Sequence, residues 1–314
     1  MTHMSSPKSI MVEAPATMAN FGPGYDTFGL CIDRPVDILE IERLDGKGIE
    51  LEVSKRGYKV PLDIDENTAS VAARELLRLY GKDLRSISLR MWLRKGIRPG
   101  SGLGSSAASA VSGALGVASL LGLKDKKKIL MAAAKGEAVS SGTPHLDNVS
   151  PCLFGGFTVV LDHRKLDILR IKPPQMKIVV CLPEMVIETA KARELIPKHV
   201  PVKTSISHSS WASGVVHGMK AGDISLVARC LRDEIAVPAR KQLIEGFDSA
   251  RKEALSAGAL SFSISGSGPA VYSLAEINHE SIGKAMVKGF REAGVKSKFF
   301  IAMPGKGARA KTQD

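Results

Sequence analysis

Apolar and charged residues alternate over "VDILEIER" (36–43) and again over "GIELEVS" (48–54). This is the period of a strand with one face in a core. Asp45-Gly46 between them is a turn signal, so the two segments are expected to pair as a hairpin. The period then changes. In "DENTASVAARELLRLYG" (65–81) apolar residues recur three and four apart and end at Gly81, a helix stop. "SISLRMWL" (86–93) returns to period two, and "KKKILMAAAKGEAVSSG" (126–142) is helical again. Upstream, the strand "IMVEA" (10–14) feeds "PATMANFGPGYDTFG" (15–29), whose prolines and glycines require a turn; "GFTVVLD" (156–162) is a further strand.

Pro173-Pro174 is the clearest break, and it divides the chain into expected units 1–172 and 173–314. Beyond it "KIVVCLP" (177–183) is a short buried strand, with helical patterns near 188–196, 205–220, 222–233 and 244–257. "LSFSISGSGPAVYSLAE" (260–276) is strand, turn and strand; "ESIGKAMVKGFREAG" (280–294) is helical, and "SKFFIAMP" (297–304) is a last strand. Strands and helices mix in both halves without strict alternation. That predicts an α+β fold of mixed sheets packed with helices, not a doubly wound sheet.

The segment between Arg98 and Lys124 carries no charged side chain. It is long enough to span a bilayer, but residues 105–123 hold five serines and three glycines, and small residues outnumber the aliphatics. Real spans are marked by hydropathy, not by absence of charge alone, so no membrane association is expected. Its alanines and leucines make a linker a poor description. Two readings remain: a tightly packed buried helix, or such a helix preceded by an anion-binding loop. In the second, Gly100-Ser-Gly-Leu-Gly104 bends the backbone so that N–H groups converge, and Ser105-Ser106 open a helix whose positive end favours an anion. A serine there can also reach a Mg²⁺ ion on phosphates. The commoner phosphate fingerprints are missing: no Gly-Lys is followed by Ser or Thr, and G-x-G-x-x-G does not occur.

Composition narrows the options. The 314 residues are 44% hydrophobic and 24% charged, enough for a large core without staples. Cys31, Cys152, Cys181 and Cys230 are scattered and form no C-x-x-C pair, so buried reduced thiols and a cytoplasmic location are expected. The net charge of +12 suits an anionic substrate as well as nucleic acid. With only 5% aromatic residues there is no platform for stacking bases, and no nucleic-acid partner is expected. The first residues, MTHMSSPKS, lack the apolar stretch of a signal peptide.

Four segments carry a resemblance. Pro99-Gly-Ser-Gly-Leu-Gly-Ser-Ser-Ala-Ala108 closely resembles the ATP loop of the GHMP kinases, and Ile264-Ser-Gly-Ser-Gly-Pro-Ala270 matches their late glycine turn. "PATMANFGPGYDTFGL" (15–30) and "GTPHLDNVSPCLFGG" (142–156) are similar to the homoserine kinase versions of two further motifs. The resemblance runs from about Ile10 to Met303, with Tyr25 where Phe is usual and a one-residue variation at Thr143. It implies the two-domain GHMP kinase fold, with ATP bound by the N-terminal unit, and ATP-dependent phosphorylation of the side-chain hydroxyl of L-homoserine, a step toward threonine. Alternatives are another GHMP small-molecule kinase, of shikimate or mevalonate type, or a non-catalytic relative that regulates a partner. A homodimer is left open.

The resemblance also assigns residues. Arg98, Pro99, Gly100, Ser101, Gly102, Leu103, Gly104, Ser105, Ser106, Ala107 and Ala108 would take the phosphates, with Asn67 near the adenine. Ser106 and Glu137 would hold Mg²⁺; both are hard oxygen ligands, although Glu137 could equally be a solvated helix face. Asn20, Asp26, His145, Asp147, Thr189, Arg193, Arg240 and Gly266 would meet the substrate, the arginines through its carboxylate and Asp26 through its ammonium or hydroxyl end. Asn20 and Asp26 could instead be Asx-turn residues, and Asp147 a helix cap. The reaction would rest on Asp147, Glu137 and Arg193, with Asp147 either removing the hydroxyl proton or only orienting it.

Overall fold

A computed structural model describes residues 8–54, 58, 60–82, 84 and 87–313. Met1–Pro7 and the expected strand start at Ser86 lie outside the described residues. The elements in chain order are β1 (Ser9–Ala19), β2 (Phe28–Leu44), β3 (Gly48–Ser54), α1 (Thr68–Leu79), β4 (Ser88–Arg94), α2 (Ser105–Leu120), α3 (Lys126–Ser141), α4 (Leu146–Phe154), β5 (Phe157–Asp162) and β6 (Asp167–Ile171). There follow β7 (Ile178–Pro183), α5 (Thr189–Glu194), α6 (Val202–Ala221), α7 (Ile224–Cys230), α8 (Ala236–Arg240), α9 (Phe247–Ser256), β8 (Ser263–Ile264), β9 (Val271–Leu274), α10 (His279–Glu292), β10 (Ser297–Ala302) and β11 (Arg309–Gln313).

The expected mixed architecture is present as two sheets. One runs β11-β1-β2-β4-β3, with β5 paired to β2 and β6 to β5; the other runs β10-β7-β9-β8. Helices α1–α4 pack together, with α2 also against β1 and β2, while α10 lies on β7 and β10 with α9 beside it. Thirteen of the sixteen residues of α2 are buried. A helix apolar on all sides belongs inside a protein core or a membrane; no helix among the described residues is long and apolar enough to cross a bilayer. The uncharged stretch is therefore the packed centre of the first layer.

The expected β2–β3 hairpin does not form. β3 pairs in parallel with β4 (Gly48 opposite Ser88), and β4 separates it from β2. The cause is α1: a strand, a helix and a parallel strand make a crossover unit, whereas a two-strand hairpin would leave β4 without its inner neighbour. The turn expected over 15–29 is also shorter. β1 continues through Pro15 to Ala19, because the proline sits at a register shift between Pro15 and Thr17 where no ladder donor is needed. Two strands carry no sequence signal, β6 and β11. β11 pairs with β1, so the chain's end returns to the first sheet from beyond Pro173-Pro174.

Candidate active site

A cleft of about 670 Å³ opens between the two sheets' loops. Its first wall is the glycine loop before α2. Gly104 caps that helix with φ +68°, and a side chain there would collide with Thr17 Oγ1 and Asn148 Oδ1, which are themselves hydrogen-bonded at 2.7 Å. Gly102 (φ +78°) has no room either: a Cβ would strike the carbonyls of Ser265 and Gly268. Both positions need a left-handed backbone and close approach together, which only glycine gives. The α2 N-terminus, with its unpaired N–H groups, thus faces the cleft without a side-chain cap.

The expected loops are knitted to one another. Ser265 Oγ donates to the Gly102 carbonyl at 2.7 Å and Ala270 N–H to the Ser101 carbonyl at 3.0 Å. Gly266 N–H donates to Ala19, while Asn20 Nδ2 donates back to the Gly266 carbonyl at 3.1 Å. Asn20 Oδ1 accepts from Asp26 N–H at 3.0 Å. Asn20 and Asp26 both hold positive φ, a conformation Asn and Asp tolerate better than most residues. Their Asx geometry and their place on the cleft wall coexist.

Four acids and bases gather beyond the loop. Arg193, on α5, donates from Nη1 and Nη2 to the two oxygens of Asp26 at 3.0 and 2.9 Å. Burial works against the Arg193 charge, but Asp26 more than offsets it and raises its pKa. Arg240, at the end of α8, is buried and donates to the carbonyls of Gly266 (2.9 Å) and Ala192 (3.3 Å). Burial lowers its pKa. Asp147, in the first turn of α4, is 2% exposed; burial and the Asp26 charge push its carboxyl up to about 7. Such shifts gather where a group must titrate near neutrality.

Glu137 projects from α3 into the same space, only 2% exposed, so it is not a solvated face. Its Oε1 accepts from Ser106 Oγ at 3.2 Å and from His145 Nδ1 at 3.0 Å, and Oε2 accepts from His145 N–H at 2.8 Å. For His145, burial opposes protonation but the bond and charge of Glu137 raise its pKa overall. Two buried wall atoms, Ser101 Oγ and His145 Nε2, have no hydrogen-bond partner among the described residues. Buried polar atoms are normally paired, so these suit a polar ligand.

Not every expected residue faces the cleft. Pro99, Gly100, Ser105, Thr189 and Asn67 line it. Thr189 Oγ1 also lies 3.5 Å from Ser267 Oγ. Asn67 is at once the N-cap of α1, accepting from Ala69 N–H. Leu103, Ala107 and Ala108 are buried in the core behind the loop, and Arg98 turns away to the Pro183 carbonyl. The sequence reading missed Lys95 and Asp37. This buried ion pair lies under the loop: Lys95 Nζ bonds Asp37, the Ser105 carbonyl (3.0 Å) and Ser109 Oγ (2.8 Å), and Asp37 Oδ1 accepts from Gly96 and Ile97 N–H.

Residues 67–156 match the family model for the GHMP kinases N terminal domain, and residues 215–295 that for the GHMP kinases C terminal. The chain is 44% identical over 300 residues to the homoserine kinase of Pyrococcus horikoshii, covering 96% of this chain and 99% of that one. The chain belongs to the homoserine kinase family of GHMP kinases. Another member of the family, from Methanococcus vannielii, is 38% identical over 276 residues, covering 87% of this chain and 89% of the relative. The solved homoserine kinase of Cytophaga hutchinsonii superposes with a TM-score of 0.92 at 35% identity, covering 99% of this chain and 100% of that one.

Proposed function

We propose that this enzyme transfers the γ-phosphoryl group of ATP to the side-chain hydroxyl of L-homoserine, giving O-phospho-L-homoserine and ADP on the way to threonine. One observation carries the reading. A single cleft joins an uncapped helix N-terminus, a buried carboxyl held near neutrality and a carboxylate beside two guanidinium groups. The first suits phosphates, the second a hydroxyl proton, and the third the adjacent ammonium and carboxylate of an amino acid.

The phosphates lie against the N–H groups from Gly100 to Ser106, with the adenine toward Val60, Pro61 and Asn67. Homoserine enters beside Asp26 and Arg193. Its ammonium takes the Asp26 carboxylate and its carboxylate takes Arg193 and Arg240, so one ion pair of the free protein becomes two. In this arrangement residues 1–172 supply the nucleotide site, and residues 173–314 supply Arg193, Arg240 and the Gly266 turn. The hydroxyl oxygen forms a bond to the γ-phosphorus while the bond from phosphorus to the leaving ADP oxygen breaks. The hydroxyl proton passes to Asp147, whose raised pKa lets it accept and release a proton near neutral pH. Phosphoryl transfer asks mainly for positioning and charge stabilisation, which the loop and arginines provide.

Ser106 and Glu137 fit a Mg²⁺ ion. They offer two oxygen ligands 3.2 Å apart on the cleft wall, and the His145 N–H bond fixes the far carboxylate oxygen. Among the described residues no group of three or more His, Cys, Asp and Glu could hold a metal alone, a pattern that suits Mg²⁺, which takes one or two protein groups plus phosphates. Bound there, the ion would neutralise charge on the phosphate oxygens. The four unpaired, buried thiols fit a reducing compartment, and we place the enzyme in the cytoplasm.

The test is ADP release with homoserine, serine, threonine, shikimate and mevalonate as acceptors. Homoserine is expected to be turned over best; turnover of mevalonate or shikimate without homoserine would overturn the substrate assignment.

A further inference from the structure

The ring of Tyr25 has no part in the transfer proposed for the cleft. Tyr25 is half-buried in the loop ahead of Asp26 and is not part of the cleft wall. Its ring faces both substrate arginines: Arg240 Cζ lies 5.2 Å from the ring centroid and Arg193 Cζ 5.9 Å. The two like charges feel each other: Arg193 is among the charges that act to lower the Arg240 pKa. They are not equally compensated. Arg193 has both oxygens of Asp26, whereas among the described residues Arg240 donates only to the Ala192 and Gly266 carbonyls. Arg240 is the more deeply buried of the two. An aromatic face carries partial negative charge and attracts a guanidinium held over it, and arginine's flat, weakly hydrated group suits such stacking. The Tyr25 ring is thus a surface that both arginines share.

We propose that Tyr25 is a positioning residue: its ring holds Arg193 and Arg240 at the spacing that receives one substrate carboxylate, and so sets affinity for the amino-acid end of the acceptor without touching it. The proposal rests on the homoserine reading above. It concerns the ring and not the hydroxyl, so Tyr25→Phe should behave as wild type.

The experiment is steady-state kinetics of wild type, Tyr25→Phe and Tyr25→Leu with homoserine and with 3-amino-1-propanol, which is homoserine without its carboxylate. Melting curves confirm that each variant folds, and Tyr25→Gln replaces the leucine variant if that one does not. Two weakened cation–π contacts correspond to about a tenfold rise in KM for homoserine in Tyr25→Leu. The KM for ATP, kcat, and kcat/KM for the amino alcohol should stay within about twofold. Equal losses on both acceptors, or an unchanged homoserine KM in the leucine variant, would overturn the proposal. Wild-type enzyme that leaves homoserine untouched would overturn the underlying reading, and this is seen before any variant is made.

Discussion

Replacing Asp147 by Asn should separate the activity of the enzyme from its stability, with opposite dependences on pH. In the folded protein burial and the Asp26 charge hold the Asp147 carboxyl at about 7, against 3.8 for an ordinary aspartate. As a proton acceptor it works only when ionised. On that basis about a tenth of the molecules are competent at pH 6 and about a hundredth at pH 5, so kcat/KM should climb about tenfold per pH unit up to a midpoint near 7. Asp147→Asn cannot ionise; it should lose on the order of 10²–10⁴ in kcat and also lose the acidic limb. Loss of the limb matters, because the phosphates of ATP titrate nearby and would otherwise imitate it.

Stability moves the other way. A carboxyl with a raised pKa in the fold contributes fully below its unfolded value and loses that contribution as pH rises through the folded one. The gap from 3.8 to about 7 amounts to on the order of 4 kcal/mol by pH 8. Asp147→Asn should therefore match wild type in denaturant unfolding near pH 4 and exceed it by a few kcal/mol at pH 8. A flat wild-type rate profile from pH 5 to 8 would refute the proton-acceptor role. A variant no more stable than wild type at pH 8 would refute the buried, protonated carboxyl itself.

Other perturbations test other parts of the site. Glu137→Gln and Ser106→Ala should each lower the rate by about a hundredfold or more and raise the Mg²⁺ concentration for half-maximal activity, with unchanged melting; both at wild-type rate would rule out the metal assignment. Arg193→Lys breaks the two-bond fork to Asp26 and should raise the homoserine KM about tenfold or more while the ATP KM holds, as initial-rate kinetics with each substrate varied will show. Asp26→Asn removes a charge that raises Asp147, so the acidic limb of the rate profile should shift to lower pH; a limb that stays in place would disprove the coupling. Lys95→Met strands the buried Asp37 carboxylate and should cost about 3–5 kcal/mol in urea unfolding, with much of it restored by adding Asp37→Leu.

The elements the sequence reveals best are those that decide their own period. The helix at 68–79 and the strand at 88–94 fall where apolar spacing puts them. Neighbours are harder to read. Alternation over 36–43 and 48–54 says that each strand has a core face but not which strand lies beside it, and α1, inserted between β3 and β4, reversed the expected pairing. β11 is polar and largely exposed, so its backbone joins the sheet with no apolar pattern to announce it. Residues of the cleft wall were legible where a loop motif carries them, as with Asn20, Asp26, Ser106 and Asp147. Tyr25 was visible only as a departure from the usual Phe, since its partners Arg193 and Arg240 come from distant segments.

The Asp37–Lys95 pair has a signal of its own in the sequence. Along β2 the core-facing positions are Leu39 and Ile41, and Asp37 is the next on that face; along β4 they are Leu89, Met91 and Leu93, and Lys95 is the next. Ile38 pairs with Arg94, so Asp37 and Lys95 fall opposite each other one step further along the same ladder. A charge at an inward register position is costly unless it finds a partner, and each strand ends its apolar run with a charge of opposite sign. The pair could be anticipated once β2 and β4 are known neighbours, a fact that the mistaken hairpin concealed. Its placement explains why the energy is accepted. Lys95 bonds the Ser105 carbonyl at the first residue of α2, and Asp37 holds the N–H groups of Gly96 and Ile97 just before the glycine loop. The loop has little side-chain substance of its own to fix it, so both of its ends are tied instead to an ion pair in the core. A positively polarised helix end can wait for phosphate in a fixed direction only if something rigid stands beneath it, and here that support is two side chains that their charge alone would have assigned to solvent.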